Sequence, residues 1–221
     1  MFRWGLYSLR NLWARRVTTA LTVVGLGLVV FVLLAVLMLA HGLERTLGKT
    51  GDPENVIILR KGALSEIGSS LSREEIRAVA AQPDVRLTAD GRPLAVAEVG
   101  LQLTLRKGQG GSLTSVTLRG TAPEALAVRP AIRLIQGRLW KPGTTEIVVG
   151  ASIARQFPDA RVDRVLHFGN RAWTVVGVFE AGGSGFDSEV WGDAEQFLAT
   201  FHRTTFSSMT LRLAHPATLP A

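Results

Sequence analysis

The pattern of apolar and polar positions divides the chain into one long apolar segment and a longer part built from short segments. Residues 17–40 form an unbroken run of 24 residues without a charged side chain. As a helix, such a run is about 36 Å long and crosses a hydrocarbon core of about 30 Å with some tilt. The pattern therefore predicts a membrane-spanning helix near the N-terminus.

The part after this run has the pattern of a folded domain. Leucines alternate with polar residues at 101–106, as is typical of a half-buried strand. Further strands are expected at 55–60, 113–119, 146–149, 165–168, 172–179 and 208–213, with hairpin turns at 108–111 and 169–170. Trp140 and Trp191 either anchor a partner or belong to the core, and the core is the commoner place for them.

Capping sequences predict three short helices within this part. Ser72 followed by Glu75 is a capping box, and Pro83 ends the helix that it opens. The segments that begin at Thr121 and Asp193 repeat the pattern, the latter before a helix at 197–201. Together with the strands, these helices favour an α+β fold with mixed or antiparallel sheets.

Charge is distributed unevenly about the apolar run. Four arginines precede it without an acidic residue among them, and removing them from the net charge of +7 leaves +3 on residues 17–221. A nucleic-acid-binding protein concentrates basic residues on its folded domain, so no nucleic acid partner is expected. Arginines mark the cytoplasmic side of a span. The N-terminus is therefore predicted to be cytoplasmic, and residues 41–221 extracytoplasmic.

A cleaved signal peptide shares this order of basic and apolar residues. Its apolar core is about 7–15 residues long and ends at a small-residue cleavage site. The run here is longer, and residues 38–41 (MLAH) are a poor cleavage site. We therefore expect an anchor that is not cleaved.

Residues 1–16 are predicted to lie along the inner leaflet as an interfacial helix. Apolar residues recur at spacings of four, three and four from Phe2 to Trp13, which is a helical period. The membrane-interface residues would be Arg3, Trp4, Arg10, Trp13, Arg15 and Arg16. The alternative is a frayed basic tail.

Signals for metal or nucleotide chemistry are weak. The sequence has no cysteine, which excludes disulfides, thiolate zinc sites and a cysteine nucleophile. Residues 42–50 have five residues between glycines, where a phosphate-binding loop has four. The histidines have no close sequence partners; they are His41, His167, His202 and His215. No cofactor or metal is therefore expected.

A membrane-tethered hydrolase is the enzymatic alternative. It would require Ser184 or Ser188 to converge with His167 or His202 and with Asp187. Ser184 does not have the spacing of a nucleophile elbow, because Phe186 stands where glycine is required. Asp187 and Glu189 are two residues apart, and such a pair alone is weak support for acid–base catalysis. We expect no enzymatic activity.

Three segments of the C-terminal half carry a resemblance to a known family. Residues 137–143 (GRLWKPG), 146–150 (EIVVG) and 173–179 (WTVVGVF) follow one another as in ABC-transporter permeases. The chain resembles the MacB-like periplasmic core domain of FtsX-type permeases. Residues 180–191 are similar to a glycine-rich turn of these permeases; the family-like positions are Gly182, Gly183, Phe186, Asp187, Ser188, Glu189 and Trp191. Residues 11–21 also resemble the start of the first span in this family.

The resemblance implies an extracytoplasmic domain of two subdomains inserted between the first and second spans. It implies a second permease copy and a separate cytoplasmic ATPase, with no catalytic residues in the permease itself. The family couples ATP hydrolysis to movement of the outer domain, for export or for handling of envelope lipoproteins. The expected location is the bacterial inner membrane.

The sequence departs from the family pattern after Leu213, because the three further spans are missing. We expect either a fragment or truncated product, or a split permease whose complementary chain supplies the other helices. The predicted organisation is an interfacial segment (1–16), a span (17–40), a stalk (41–54), a core domain (55–213) and a tail (214–221). The alternative function is a single-span binding or adaptor module that acts without an ATPase.

Overall fold

The computed structural model describes residues 16–48, 54–108 and 111–215. The chain forms two compact units, Met1–Gly48 and Lys49–Ala221. Five of the predicted interface residues lie outside the described residues, namely Arg3, Trp4, Arg10, Trp13 and Arg15. The sixth, Arg16, is the first residue of helix α1 (Arg16–Gly48).

Helix α1 has 33 residues, which corresponds to a length of about 50 Å. Its segment Arg16–Gly42 is long and apolar enough to cross a membrane. The large apolar side chains of this segment are exposed, with Leu21, Phe31 and Leu39 at 68%, 67% and 74%. A helix that is apolar on all sides is suited to hydrocarbon rather than to water, so the predicted span is present as a helix.

The second unit contains nine strands and four short helices in its described residues. The strands are β1 (Asn55–Ile58), β2 (Ala95–Arg106), β3 (Leu113–Thr121), β4 (Arg133–Gly137), β5 (Glu146–Gly150), β6 (Val165–Phe168), β7 (Arg171–Glu180), β8 (Glu189–Asp193) and β9 (Ser208–Arg212). The helices are α2 (Arg73–Ala80), α3 (Ala125–Val128), α4 (Ala151–Gln156) and α5 (Ala194–Thr200), and Gly185–Ser188 forms a 3₁₀ turn. The predicted α+β class is confirmed.

The strands form a mixed sheet in the order β1-β9-β2-β3-β8-β5-β7-β4, with β6 paired to β7. The pairs β3–β8 and β5–β7 are parallel. Both predicted hairpins are present, because β2 pairs antiparallel with β3 and β6 pairs antiparallel with β7.

Strand β2 joins two sections of this sheet. Its first four residues, from Ala95 to Glu98, pair with β9 on one side. The residues from Val99 to Arg106 pair with β3 on the other side. Residues 49–221 form one compact unit, in which two sheet sections share this strand.

Apolar residues cover both faces of the larger section, because side chains alternate along a strand. Ile147 and Val149 of β5 belong to one cluster, which also contains Trp173 and Phe197. Val148 belongs to a second cluster on the other face. That cluster includes Trp140 and Trp191, which are 2% and 0% exposed. Both tryptophans are therefore core residues and not exposed anchors.

The predicted helix starts are confirmed at two of three sites. The Ser72 side chain accepts a hydrogen bond from the backbone N–H of Glu75, and the Glu75 carboxylate accepts one from the backbone N–H of Ser72. These two bonds complete the capping box of α2. Asp193 caps α5. The prediction at Thr121 is wrong, because this residue ends β3 and the N-cap of α3 is Glu124, which makes no side-chain cap hydrogen bond.

Other boundaries differ from the sequence pattern. Strand β2 begins at Ala95 rather than at 101, and β1 ends at Ile58 rather than at 60. Strands β4 and β8 and helix α4 were not predicted. All five residues of β8 are buried. Because three of them are Glu189, Gly192 and Asp193, the sequence of this strand has neither an alternating nor a continuous apolar pattern.

Replacing Trp173 by alanine is expected to lower the free energy of unfolding by about 3–5 kcal/mol. The ring is fully buried, stacks on Phe168 with centroids 5.1 Å apart, and meets the edge of Phe197 at 4.9 Å. Urea unfolding of the full chain in lipid nanodiscs, followed by circular dichroism, measures this loss. Leu113→Ala removes a side chain that is 62% exposed and should change the free energy by less than about 0.5 kcal/mol. Equal losses in the two variants would contradict the assigned core.

Candidate functional site

A cluster of buried charged side chains lies where β2 passes from β9 to β3. Glu98 is fully buried, and Arg119, Arg129 and Glu189 are 5%, 6% and 8% exposed. We call these four residues the Glu98 cluster. Charged groups are rarely buried to this extent unless they are paired, so the hydrogen bonds of each member decide what the cluster does.

The Glu98 carboxylate accepts hydrogen bonds from both arginines. Arg129 donates from Nη1 to Oε1 at 2.9 Å and from Nη2 to Oε2 at 2.6 Å. Arg119 Nη1 donates to Oε2 at 3.2 Å. The hydroxyls of Thr121 in β3 and Thr210 in β9 also donate hydrogen bonds to the Glu98 carboxylate, at 3.1 and 2.9 Å. One carboxylate therefore binds both strands that flank β2.

Arg119 extends the cluster to β8. Its Nε and Nη2 donate to the two oxygens of Glu189 at 2.8 and 2.9 Å, which is the paired geometry that makes arginine–carboxylate contacts strong. The Trp191 indole donates to the same carboxylate at 2.7 Å. Arg119 Nη1 also donates to Glu66 at 3.0 Å. The cluster therefore connects β2, β3, β8 and β9.

Aromatic rings cover the two guanidinium groups. Arg119 and Arg129 lie 5.3 and 5.2 Å from the centroid of the Phe186 ring. Phe186 meets Trp191 edge-to-face at 5.8 Å, and Arg129 also lies 5.6 Å from the Trp191 ring. These cation–π contacts replace part of the water that the cations lose on burial.

The glycine-rich turn before β8 places these aromatic and acidic residues. Gly182 and Gly183 have φ values of 64° and 81°, a region that residues with a Cβ seldom occupy. The Asp187 carboxylate accepts from the backbone of Ala181 at 2.6 Å and of Gly183 at 2.8 Å. A Cβ on Gly150 would lie 2.3 Å from the Asp187 carbonyl oxygen, so glycine is needed for the turn to approach the end of β5.

Electrostatics keep the cluster charged. Burial by itself raises the pKa of Glu98, but Arg119 and Arg129 more than offset this and hold the pKa below its ordinary value. Burial by itself lowers the pKa of Arg119, whereas Glu189 and Glu98 raise the pKa well above its ordinary value. Both groups are therefore ionised in the folded protein at neutral pH.

A second ion pair joins two of the family-like segments. Arg138 donates from Nη1 and Nη2 to the Glu146 carboxylate at 2.7 and 2.5 Å, and the Lys141 backbone donates to it at 2.9 Å. The hydrogen bond from Arg138, opposed by burial and aided by Lys141, lowers the pKa of Glu146 to about 2. This pair fixes the turn between β4 and β5.

The family-like residues lie in the glycine-rich turn before β8 and in β8 itself. Phe186, Asp187, Glu189 and Trp191 make the contacts described above, while Ser188 is exposed. Sequence reasoning missed the partners Glu98, Arg119 and Arg129. The one available signal was a glutamate within the apolar stretch AVAEVGL at 95–101, which is uncommon unless the carboxylate is paired.

The residues of the hydrolase alternative do not converge in the described part of the chain. Ser184 is buried, and its hydroxyl has no hydrogen-bond partner. Both carboxylate oxygens of Asp187 accept hydrogen bonds from backbone N–H groups. His167 and His202 are exposed, and no hydrogen bond joins either to these groups. Within the described residues, no three His, Cys, Asp or Glu side chains form a group that could hold a metal ion.

The comparisons with known proteins agree with this architecture. The family model described as the MacB-like periplasmic core domain matches residues 19–221. The chain belongs to this family. No curated protein matches the chain.

Two solved structures have the same fold as this chain. One is the extracellular domain of the ABC-type transporter YknZ from Gram-positive bacteria, with 16% identity and a TM-score of 0.54 over 73% of this chain and 83% of that one. The other is the periplasmic region of MacB from Actinobacillus actinomycetemcomitans, with 15% identity and a TM-score of 0.55 over 79% of this chain and 80% of that one. At these identities, the likeness concerns the fold.

Glu98→Gln is expected to lower the free energy of unfolding by about 3–5 kcal/mol, because it leaves two buried arginines with one carboxylate fewer. Urea unfolding of the full chain in nanodiscs measures the loss. Glu195→Gln is the matched control, since the Glu195–Arg73 pair is half-exposed and is worth less than about 1 kcal/mol. A loss at Glu98 no larger than at Glu195 would show that the cluster does not hold the sheet sections together.

Glu146→Gln is expected to have an effect that depends on pH. Because the pKa of Glu146 is lowered from 4.5 to about 2 in the folded protein, its ion pair contributes its full stability above about pH 4.5 and loses that contribution as the pH falls towards 2. The difference in unfolding free energy between the wild type and the variant should therefore shrink over this range. Chemical denaturation at pH 7, 5 and 3 tests this, and a difference that does not change with pH would contradict it.

Proposed function

We propose that this chain is a permease component of an ABC transporter, in which the extracytoplasmic domain transmits motion driven by a separate ATPase for export or envelope lipoprotein handling. Membership of the MacB-like family is the observation that carries this proposal. One solved structure with the same fold is the extracellular domain of an ABC-type transporter, YknZ, and another is the periplasmic region of MacB.

The proposed location rests on the charge distribution around the apolar run and on the family description. The arginines before the apolar run favour a cytoplasmic N-terminus under the positive-inside rule. The domain from residue 55 to 213 then lies outside the cytoplasm, as the family description implies. The membrane is the bacterial inner membrane, and helix α1 crosses it.

Two features of the structure suit a transmitter rather than a flexible tether. Helix α1 continues as a helix to Gly48, past the end of the apolar run, so the stalk begins as a helical extension of the span. The outer unit is cross-linked internally by the Glu98 cluster, through hydrogen bonds that reach four strands. A displacement applied to such a unit moves it as a body instead of distorting it.

The proposed partners are a cytoplasmic ABC ATPase and either a second permease copy or a complementary chain with further spans. Helix α1 by itself cannot enclose a solute pathway, so transport requires further membrane-spanning helices beside it. Purification of the full-length chain from its native membranes in mild detergent, followed by mass spectrometry, tests the assembly. Recovery of an ATPase with a multispan polypeptide supports it, whereas recovery of the folded chain alone would favour an adaptor module.

Replacing residues 44–47 by four glycines is expected to uncouple the outer domain from ATP hydrolysis, because each glycine costs a helix interior about 1 kcal/mol relative to alanine. Replacement by four alanines is the matched control, since it removes the same side chains and keeps the helix. The sequence has no cysteine, so a fluorophore on Glu74→Cys labels this chain at one exposed position.

The measurement is the change in fluorescence when ATP is added to the purified assembly. The wild-type stalk and the alanine variant should both respond, and the glycine variant should retain its partners without responding. An equal response in the glycine variant would mean that α1 acts only as a tether.

A further inference from the structure

A cleft of about 580 Å³ opens beside the Glu98 cluster, at the junction of the two sheet sections. Its floor is Leu94 together with the first three residues of β2, from Ala95 to Ala97, and one wall is the segment from Thr121 to Ala127 that contains the start of α3. The opposite wall includes Pro142, the start of α5 and Phe206. Cavities of about 300–1,000 Å³ accommodate small organic ligands.

The lining of this cleft is mainly apolar. Its apolar members include Leu94, Val96, Ala97, Pro123, Ala127 and Phe206. These side chains are small or are held by the core, with Val96 and Phe206 at 4% and 5% exposure. The cleft therefore offers a surface of fixed shape that favours an apolar body over water.

Two of its four charged side chains, Arg92 and Glu195, already have an ion-pair partner. The Arg92 guanidinium pairs with Asp90 at 3.3 Å. The Glu195 carboxylate accepts two hydrogen bonds from Arg73, at 2.7 and 2.6 Å. Arg73 also lies 5.2 Å from the centroid of the Phe206 ring, so this wall is fixed by its own contacts.

The other two charged side chains are carboxylates without a cation. Asp193 is 7% exposed and accepts from the backbone of Gly143 at 2.9 Å and of Gln196 at 3.0 Å. Glu124 is exposed at the start of α3. Within the described residues, neither has an ion-pair partner. The charge left in the cleft is therefore negative, which favours a cationic ligand over an anionic one.

We propose that this cleft binds a compact organic cation, whose apolar body contacts the floor from Leu94 to Ala97 and whose positive charge is attracted by the negative charges of Glu124 and Asp193, both of which line the cleft. The apolar lining supplies most of the affinity, and the two carboxylates supply the preference for charge. This binding requires no ATPase and no second chain, so it can be measured on the full chain alone and is independent of the proposed transport role.

The test compares two probe ions of nearly equal size and opposite charge, tetraphenylphosphonium and tetraphenylborate. Equilibrium dialysis is carried out with the full chain in nanodiscs of zwitterionic lipid, and empty nanodiscs provide the correction for partition into lipid. We expect saturable binding of the cation and weaker or no saturable binding of the anion. Equal binding of the two ions, or no saturable binding of the cation, would overturn the proposal.

Two variants assign the binding to this cleft. Ala127→Trp fills the cleft from an exposed lining position and should abolish saturable binding. Glu124→Gln should weaken cation binding by about two- to fivefold, the range of one partly exposed charge pair. Glu74→Gln is the control, because Glu74 is an exposed acid outside the cleft lining, and it should have no effect. Unchanged unfolding curves establish that each variant is folded, and wild-type affinity in Ala127→Trp would rule out this site.

Discussion

The burial of the Glu98 carboxylate is the constraint on which the rest of the outer domain depends. A carboxylate removed from water is costly unless cations and hydrogen-bond donors replace the solvent. Glu98 obtains both from Arg119, Arg129, Thr121 and Thr210. These donors come from β3, from the residue after α3 and from β9, so the need to satisfy one side chain fixes the relative positions of three separate segments.

The need of buried charged groups for partners extends from Glu98 to the glycine-rich turn. Arg119 is itself buried, so it needs a second carboxylate, and Glu189 meets this need from β8. Glu189 in turn binds the Trp191 indole, and Phe186 covers both arginines. Asp187, Glu189 and Trp191 of the family-like segment are therefore part of the core of the domain. The cluster is balanced rather than strongly stabilising, because buried ion pairs gain little over apolar packing and are costly mainly when one partner is removed.

Local patterns in the sequence predicted much of the fold. The apolar run predicted α1, and the capping box at Ser72 predicted α2. Alternating or apolar segments predicted most of the strands. Strand β8 was missed because its sequence EVWGD carries two acids whose partners are distant. The same reason explains the missed site: Glu98 contacts residues 21, 31 and 112 positions away. Such contacts depend on the sheet order, which no local spacing encodes.

The sharing of β2 between two sheet sections has a consequence for the register of both. Side chains change face with every residue along a strand, so a shift of β2 by one residue against β9 would turn Glu98 away from both arginines. The same shift would alter the pairing of Val99–Gly120 on the β3 side, since both pairings belong to one continuous strand. The alignment of one section therefore cannot shift along the whole of β2 without shifting that of the other. The shared strand couples the registers of the two sheet sections, so a slip of β2 against β9 also costs contacts with β3.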